Sequence, residues 1–271
     1  MYTNKTLHDL WLKQWKQIAT RFKDEPMVWG YDLINEPGTP QNNIYNHIQS
    51  QYDCAKMIRE IDPNTPIIVE LYPWNTVHPY IDYAFPLKDI IYSIHIYEPI
   101  TYTHQGVNSY KNNTGSYPGT FISTSYNKEQ LEKTYAPVLE FQKAHNAHIY
   151  LGEFSAIIWA GGNDKYIEDV IKIAEENNWD WTYHAFREWP GWSVEHEYLN
   201  GPRVATTPRK EVLLKYYKLN KDATEAVNES KSNGGMIAGI VIVIIIIIIV
   251  VIVFLIIRKR KNVHEESSKS N

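Results

Sequence analysis

Apolar residues recur at helical spacing from Leu7 to Phe22, where Leu7, Leu10, Trp11, Trp15, Ile18, Ala19 and Phe22 fall on one face. Lys23-Asp24-Glu25-Pro26 ends that helix. Val28 to Ile34 then reads as a buried strand. Tyr45 to Ile61 returns to helical spacing, and Asp62-Pro63-Asn64 stops it. Strands are expected at Ile67 to Leu71, Ile90 to Ile96, Ile149 to Phe154 and Trp181 to Phe186. Helices are expected at Lys128 to Ala144, Lys165 to Glu176 and Arg209 to Tyr217. Strand and helix alternate, which predicts a parallel α/β sheet with helical crossovers. A closed (β/α)8 TIM barrel takes eight strands and about 250 residues. This pattern gives five strands, opens on a helix, and fills residues 1–219. Read as a barrel, it is incomplete and corresponds to about strands 4 to 8.

Polarity changes abruptly after that. Residues 220–235 form a polar linker, and Met236 to Ile257 is an uncharged run dominated by Ile and Val. At about 1.5 Å per residue such a run spans the roughly 30 Å of a bilayer's hydrocarbon. Arg258, Lys259, Arg260 and Lys261 follow at once, and basic flanks mark the cytoplasmic side. The expected arrangement is a single transmembrane helix at 236–257, a cytoplasmic tail at 258–271, and an exoplasmic domain. Glycosylation sequons at Asn4, Asn112 and Asn228 all precede the apolar run, as an exoplasmic domain requires. The opening Met1-Tyr-Thr-Asn-Lys-Thr has no apolar core of a signal sequence. Either the run inserts as a tail anchor with the domain in the cytosol, or the chain lacks its true N-terminus, and the strand count favours the second.

Composition narrows the function classes. The formal net charge is −4, so there is no basic excess to bind nucleic acid. Nine Trp and 20 Tyr suit a large aromatic core, and also suit stacking on the apolar faces of sugar rings. Cys54 is the one cysteine, which rules out an intrachain disulfide and reads as a buried thiol. His145 and His148 have no ligand partners at metal spacing, and the sequence implies neither metal nor cofactor.

Two predicted strands end on a carboxylate. Trp29-Gly30-Tyr31-Asp32-Leu33-Ile34 runs into Asn35-Glu36-Pro37, and Tyr150-Leu151-Gly152 runs into Glu153-Phe154. Parallel barrels keep their chemistry at the C-terminal rim of the strands. Two carboxyl groups about 5–5.5 Å apart suffice for glycoside cleavage with retention. One stays protonated to help the leaving oxygen depart, and the other attacks the anomeric carbon ionised.

The run from Trp15 through Asp24-Glu25-Pro26 to Asn35-Glu36-Pro37 resembles glycoside hydrolase family 5, the cellulase family. His95-Ile96-Tyr97 resembles that family's His-x-Tyr on the sixth strand, and Gly152-Glu153-Phe154 its seventh-strand nucleophile. The resemblance covers Leu7 to Tyr217 in the family's order. It implies Glu36 as acid/base, Glu153 as nucleophile, and Asn35 as partner of the substrate 2-hydroxyl. It further implies that Tyr97 orients Glu153 and that His95 lines the site. The eighth strand departs from the pattern: His184 or Phe186 stands where the family carries a Trp platform, which passes that role to Trp189 or Trp192. The family's Arg and His from its second and third strands have no counterpart here.

These features predict a membrane-anchored β-glycoside hydrolase acting on a β-1,4-glucan-like polysaccharide. With the upstream strands missing, the chain as written is expected to be a poor catalyst or none. The competing reading is a glycan-binding surface protein without turnover. The paired glutamates argue against it, because a binder has no need of them.

Overall fold

The computed structural model describes residues 3–37, 46–70 and 83–219. Contacts divide the chain into two units, Met1–Leu213 and Leu214–Asn271. All strands and the helices named below lie in the first. In the second, residues 214–219 are described and are helical. No helix among the described residues is long and apolar enough to cross a membrane. The run Met236 to Ile257, the linker and the basic tail lie outside the described residues.

Helix α1 (Lys5–Phe22) starts where the Asn4 side chain accepts the Leu7 N–H, leading to β1 (Tyr31–Asp32). Helix α2 (His47–Ile61) is capped in the same way by Asn46 and precedes β2 (Ile67–Glu70). Next come β3 (Ile90–Ile96), a one-turn helix α3 (Ile100–Thr103), and the strands β4 (Gly119–Phe121) and β5 (Thr124–Tyr126). Helices α4 (Lys128–Thr134) and α5 (Ala136–His145), strand β6 (His148–Phe154), helix α6 (Asn163–Glu176) and β7 (Asp180–Trp181) complete the set. The five parallel strands lie in the order β1-β2-β3-β6-β7, while β4 and β5 form a separate hairpin. The predicted alternation and parallel sheet are therefore present, and the sheet does not close on itself among the described residues.

Four local expectations need correction. The strand expected over Val28 to Ile34 forms ladder only at Tyr31–Asp32, extended by the Leu33 N–H to the Ile68 carbonyl. The helix expected from Lys128 to Ala144 breaks at Tyr135, because Pro137 at the next helix's start has no N–H and its ring blocks the preceding turn. The last strand pairs only over Asp180–Trp181; the chain then follows β6 through the N–H groups of Thr182 and His184 without a regular ladder. The segment Pro99 to Thr124, to which the sequence pattern assigns no element, contains α3 and most of the β4–β5 hairpin.

Part of the aromatic content is structural. Tyr102, Tyr135 and Tyr166 are completely buried, and Tyr31, Tyr92 and Tyr117 nearly so. Tyr102, Tyr117, Tyr166 and Phe121 pack ring against ring beneath the hairpin. Cys54 is buried as expected, and burial pushes its thiol up, away from reactivity.

The turn between α2 and β2 is fastened by Asp62. Its carboxylate accepts the Asn64 and Thr65 N–H groups and the Tyr31 hydroxyl. Burial alone would raise this carboxyl, but those donors hold it at about 2. Asp62→Ala orphans three donors and should cost about 1–3 kcal/mol. The sign of the pH effect follows from the lowered value. The contribution is complete above the ordinary carboxylate pKa near 4 and is lost as pH falls through about 2. The stability gap between wild type and Asp62→Asn in denaturant titrations should therefore narrow below about pH 4.

Candidate active site

Paired residues in a ladder point to the same side of the sheet. Asp32 pairs with Ile68, and Glu70 pairs with Ser93. Alternation then puts Asp32, Glu70, Ser93 and His95 on one face, with Tyr97 following at the end of β3. The opposite face carries Tyr31, whose hydroxyl reaches Asp62 at the end of α2. The polar groups thus gather on the face away from the helices.

Glu153 joins that face through an irregularity. Ile94 pairs with Leu151, yet His95 pairs with Glu153, so β6 carries one extra residue there, Gly152. Without that bulge His95 would face Gly152, and Glu153 would swing to the helix side. Glycine is required at this place. A Cβ on Gly152 would stand 2.7 Å from Ser93 Oγ and 3.2 Å from His95 Nε2. The Gly-Glu pair read from the sequence is therefore one device that turns the carboxylate toward the site.

The hydrogen bonds tie the predicted residues together. His95 Nδ1 lies 2.9 Å from Glu36 Oε1 and 3.7 Å from Glu153 Oε2. The Tyr97 hydroxyl donates to Glu153 Oε2 at 2.7 Å. One donor atom each from Glu36, His95 and Glu153 lies within 4.8 Å of the others, the only such group of three or more among the described residues that could hold a metal ion. The bonds His95 makes account for that closeness. One oxygen of Glu36 and one of Glu153 thus lie within 4.8 Å of each other. Side-chain exposure is 36% for Glu36 and 21% for Glu153, so both are open to a ligand while His95 beneath them is buried.

Electrostatics distinguish the groups. The His95 hydrogen bond holds the Glu36 carboxyl below the usual range. For His95, burial opposes the charged form, but Glu36, Glu70 and Glu153 together raise its pKa. Burial drives the Tyr97 phenol far up, with Glu153 adding to it, so Tyr97 acts as a donor only. His104 stacks edge-on against Tyr97 at 5.0 Å, and burial lowers it to about 4, so it is neutral at pH 7.

The remaining predicted residues divide. His184 belongs to the site, with Nδ1 3.8 Å from Glu153 Oε2 and Nε2 3.0 Å from Glu188 Oε2. Phe186, the other candidate for that place, is 79% exposed and has the Arg187 guanidinium over its ring. Asn35 is exposed and next to Glu36 in the chain. Trp189 is half-buried among other tryptophans. It packs against Trp159 and Trp192, and it is Trp192 that meets His104 at 4.9 Å and His184 at 6.3 Å. Between the two residues that inherit the platform, the structure brings Trp192 to the site.

Sequence reasoning missed Glu70, Asp32 and His104. Glu70 ends β2 as Glu36 and Glu153 end their segments, and that shared position is the signal that would have found it. Its carboxylate accepts the Glu36 N–H at 2.9 Å, and Glu36 itself sits at φ 43°, a left-handed conformation uncommon for a residue with a Cβ.

Comparison with known proteins agrees with this geometry. The family model for cellulase (glycosyl hydrolase family 5) matches residues 1–188. Endoglucanase C of Acetivibrio thermocellus is 28% identical over 189 residues, which cover 60% of this chain and 54% of that protein. The chain thus spans about half the length of the curated relatives it matches. Thermotoga maritima Cel5A, solved in complex with mannotriose, aligns with a TM-score of 0.63 at 25% identity, covering 77% of this chain and 67% of that one. A cellulose synthase subunit Z from Clostridioides difficile shares the fold, with a TM-score of 0.63 at 23% identity over 78% of this chain and 69% of its own. With its paired strand-end glutamates, its His-x-Tyr and this match over most of its folded length, the chain belongs to glycoside hydrolase family 5.

Proposed function

We propose that this protein hydrolyses the glycosidic bonds of a β-linked polysaccharide, with β-1,4-glucan as its substrate class, by double displacement with retention. The observation that carries the reading is the closeness of Glu36 and Glu153 on one rim, held by His95 and Tyr97. Separations near 5 Å fit a nucleophile and an acid/base, whereas inversion leaves room for a water between the carboxyls. Glu153, oriented by the Tyr97 hydroxyl, attacks the anomeric carbon. Glu36, drawing on the proton it shares with His95, protonates the leaving oxygen, then takes a proton from the water that releases the sugar. Asn35, exposed and next to Glu36 in the chain, is suited to a substrate hydroxyl. The endoglucanases among its relatives support the substrate class.

The five-stranded sheet leaves one side of the pocket open among the described residues. Slow turnover follows from that, because water competes at every charge the pocket uses. The same opening favours a second reading, a glycan-binding surface protein without turnover. The apolar run 236–257 supports a single-pass anchor with the folded part outside the cell and the basic tail inside.

Reducing-end release from β-1,4-glucan and β-1,4-mannan by the full chain tests the proposal. Release from glucan that Tyr97→Phe lowers about 10-fold or more, with thermal stability unchanged, is the expected result. No release, together with glycan binding that survives replacement of both glutamates by Gln, would establish the second reading instead.

A further inference from the structure

Glu70 is buried to 3% exposure, and no ion pair with a lysine or arginine reaches it among the described residues, an expensive place for a carboxyl. Two features explain what it is held for. The Gln51 side chain, itself fully buried on α2, bonds both the N–H and the carbonyl of Glu70 at 2.8 and 2.9 Å, fixing its main chain. The carboxyl then makes two contacts, both leading to Glu36. Oε2 accepts the Glu36 N–H at 2.9 Å. Oε1, which has no hydrogen-bond partner among the described residues, lies 3.3 Å from His95 Nε2, and His95 Nδ1 bonds the Glu36 carboxylate.

We propose that Glu70 is a positioning residue for the acid/base, gripping Glu36 at its main-chain N–H directly and at its carboxylate through His95. The first contact supports the left-handed backbone that aims Glu36 into the pocket. The second fixes the imidazole that carries the proton next to Glu36. The charged and titratable groups facing this network are Asp32 and Glu36 on the β1 side, His95 from β3 and Glu153 from β6, with His104 and His184 acting on Glu36. Desolvation pushes the Glu70 carboxyl up to about 8, although His95 opposes the rise. Its charge develops as pH climbs through that range, which strengthens its hold on protonated His95.

The inference rests on the acid/base role of Glu36, and two readouts on the full-length protein keep the two apart. The first is the His95 titration followed by imidazole NMR, which needs no turnover. In Glu70→Gln the midpoint should fall by about one pH unit, because a carboxyl that raises it has gone. The second is the pH–rate profile on an aryl β-glucoside. Glu70→Gln keeps an acceptor for the Glu36 N–H, so it should retain kcat within about 10-fold while the alkaline limb moves to lower pH. Glu70→Leu removes both contacts and should lower kcat about 100-fold with KM unchanged. A packing role alone would lower thermal stability and leave both the titration and the limb in place. An unchanged His95 midpoint in Glu70→Gln overturns the inference, whatever the rates. A wild type with no turnover whose His95 midpoint still falls in Glu70→Gln removes the catalytic reading and leaves the Glu70 contact standing.

Discussion

Replacing Glu153 by Gln should abolish hydrolysis of every substrate, with kcat reduced roughly 10³- to 10⁵-fold. The substitution preserves shape. The Tyr97 hydroxyl can still donate, now to the amide oxygen, and the side chain is already partly exposed, so folding should survive. What disappears is a carboxylate oxygen able to form a bond to carbon. The loss should fall on kcat with KM little changed, because the amide still fills the site. It should be equally severe for aryl glycosides with good leaving groups, because attack by Glu153 is needed whatever departs. Steady-state assays on aryl glucosides and on soluble glucan measure both points.

Glu36→Ala should behave differently, and the contrast separates the two roles. Loss of the general acid should cost about 10²- to 10⁴-fold on glucan, whose leaving sugar needs a proton. On an aryl glucoside with an acidic phenol the glycosylation step should be almost unaffected. Breakdown of the glycosyl-enzyme then lacks its base and becomes rate-limiting, so azide should restore turnover and yield a β-glycosyl azide. The free protein also sets a pH expectation. Glu36 is held low and His95 high by their shared bond, so the pair keeps one proton that sits mainly on the imidazole. The pair titrates as a unit. The alkaline limb of kcat/KM should therefore lie above the ordinary histidine value near 6.5 and should vanish as a separate limb in Glu36→Ala. A limb unchanged in that variant would assign it to another group.

Much of this was legible in the sequence because each signal was local. Ile90–Ile96 appears exactly where its run of β-branched residues lies, since a strand buried on both faces reads as unbroken apolar sequence. Glu36 and Glu153 were found because strand ends are where a parallel sheet exposes side chains, and His95 and Tyr97 through the resemblance to the family's His-x-Tyr. What sequence could not show was register. The bulge at Gly152 decides which face Glu153 takes, and it exists only as a mismatch between β3 and β6. Glu70 was passed over for the same reason. Its importance comes from contacts with residues 34 and 25 positions away, made across neighbouring strands. Sequence left the platform open between Trp189 and Trp192, because only the folded chain shows which ring meets His104 and His184, and that ring is Trp192. The tyrosine count pointed to sugar binding, yet most of the large buried rings serve the core.

The central claim is that Glu153 forms a covalent bond to sugar while Glu36 handles the proton. Incubating the full chain with a 2-deoxy-2-fluoro β-glucoside bearing a dinitrophenyl leaving group tests it most directly. The fluorine slows both steps, the leaving group needs no acid, and the glycosyl-enzyme accumulates for mass spectrometry. The account predicts one added fluoroglucosyl unit, mapped to Glu153 in the peptide containing Tyr150-Leu151-Gly152-Glu153-Phe154, and absent in Glu153→Gln. A label on Glu36 or Glu70, or a label that persists in Glu153→Gln, would contradict it.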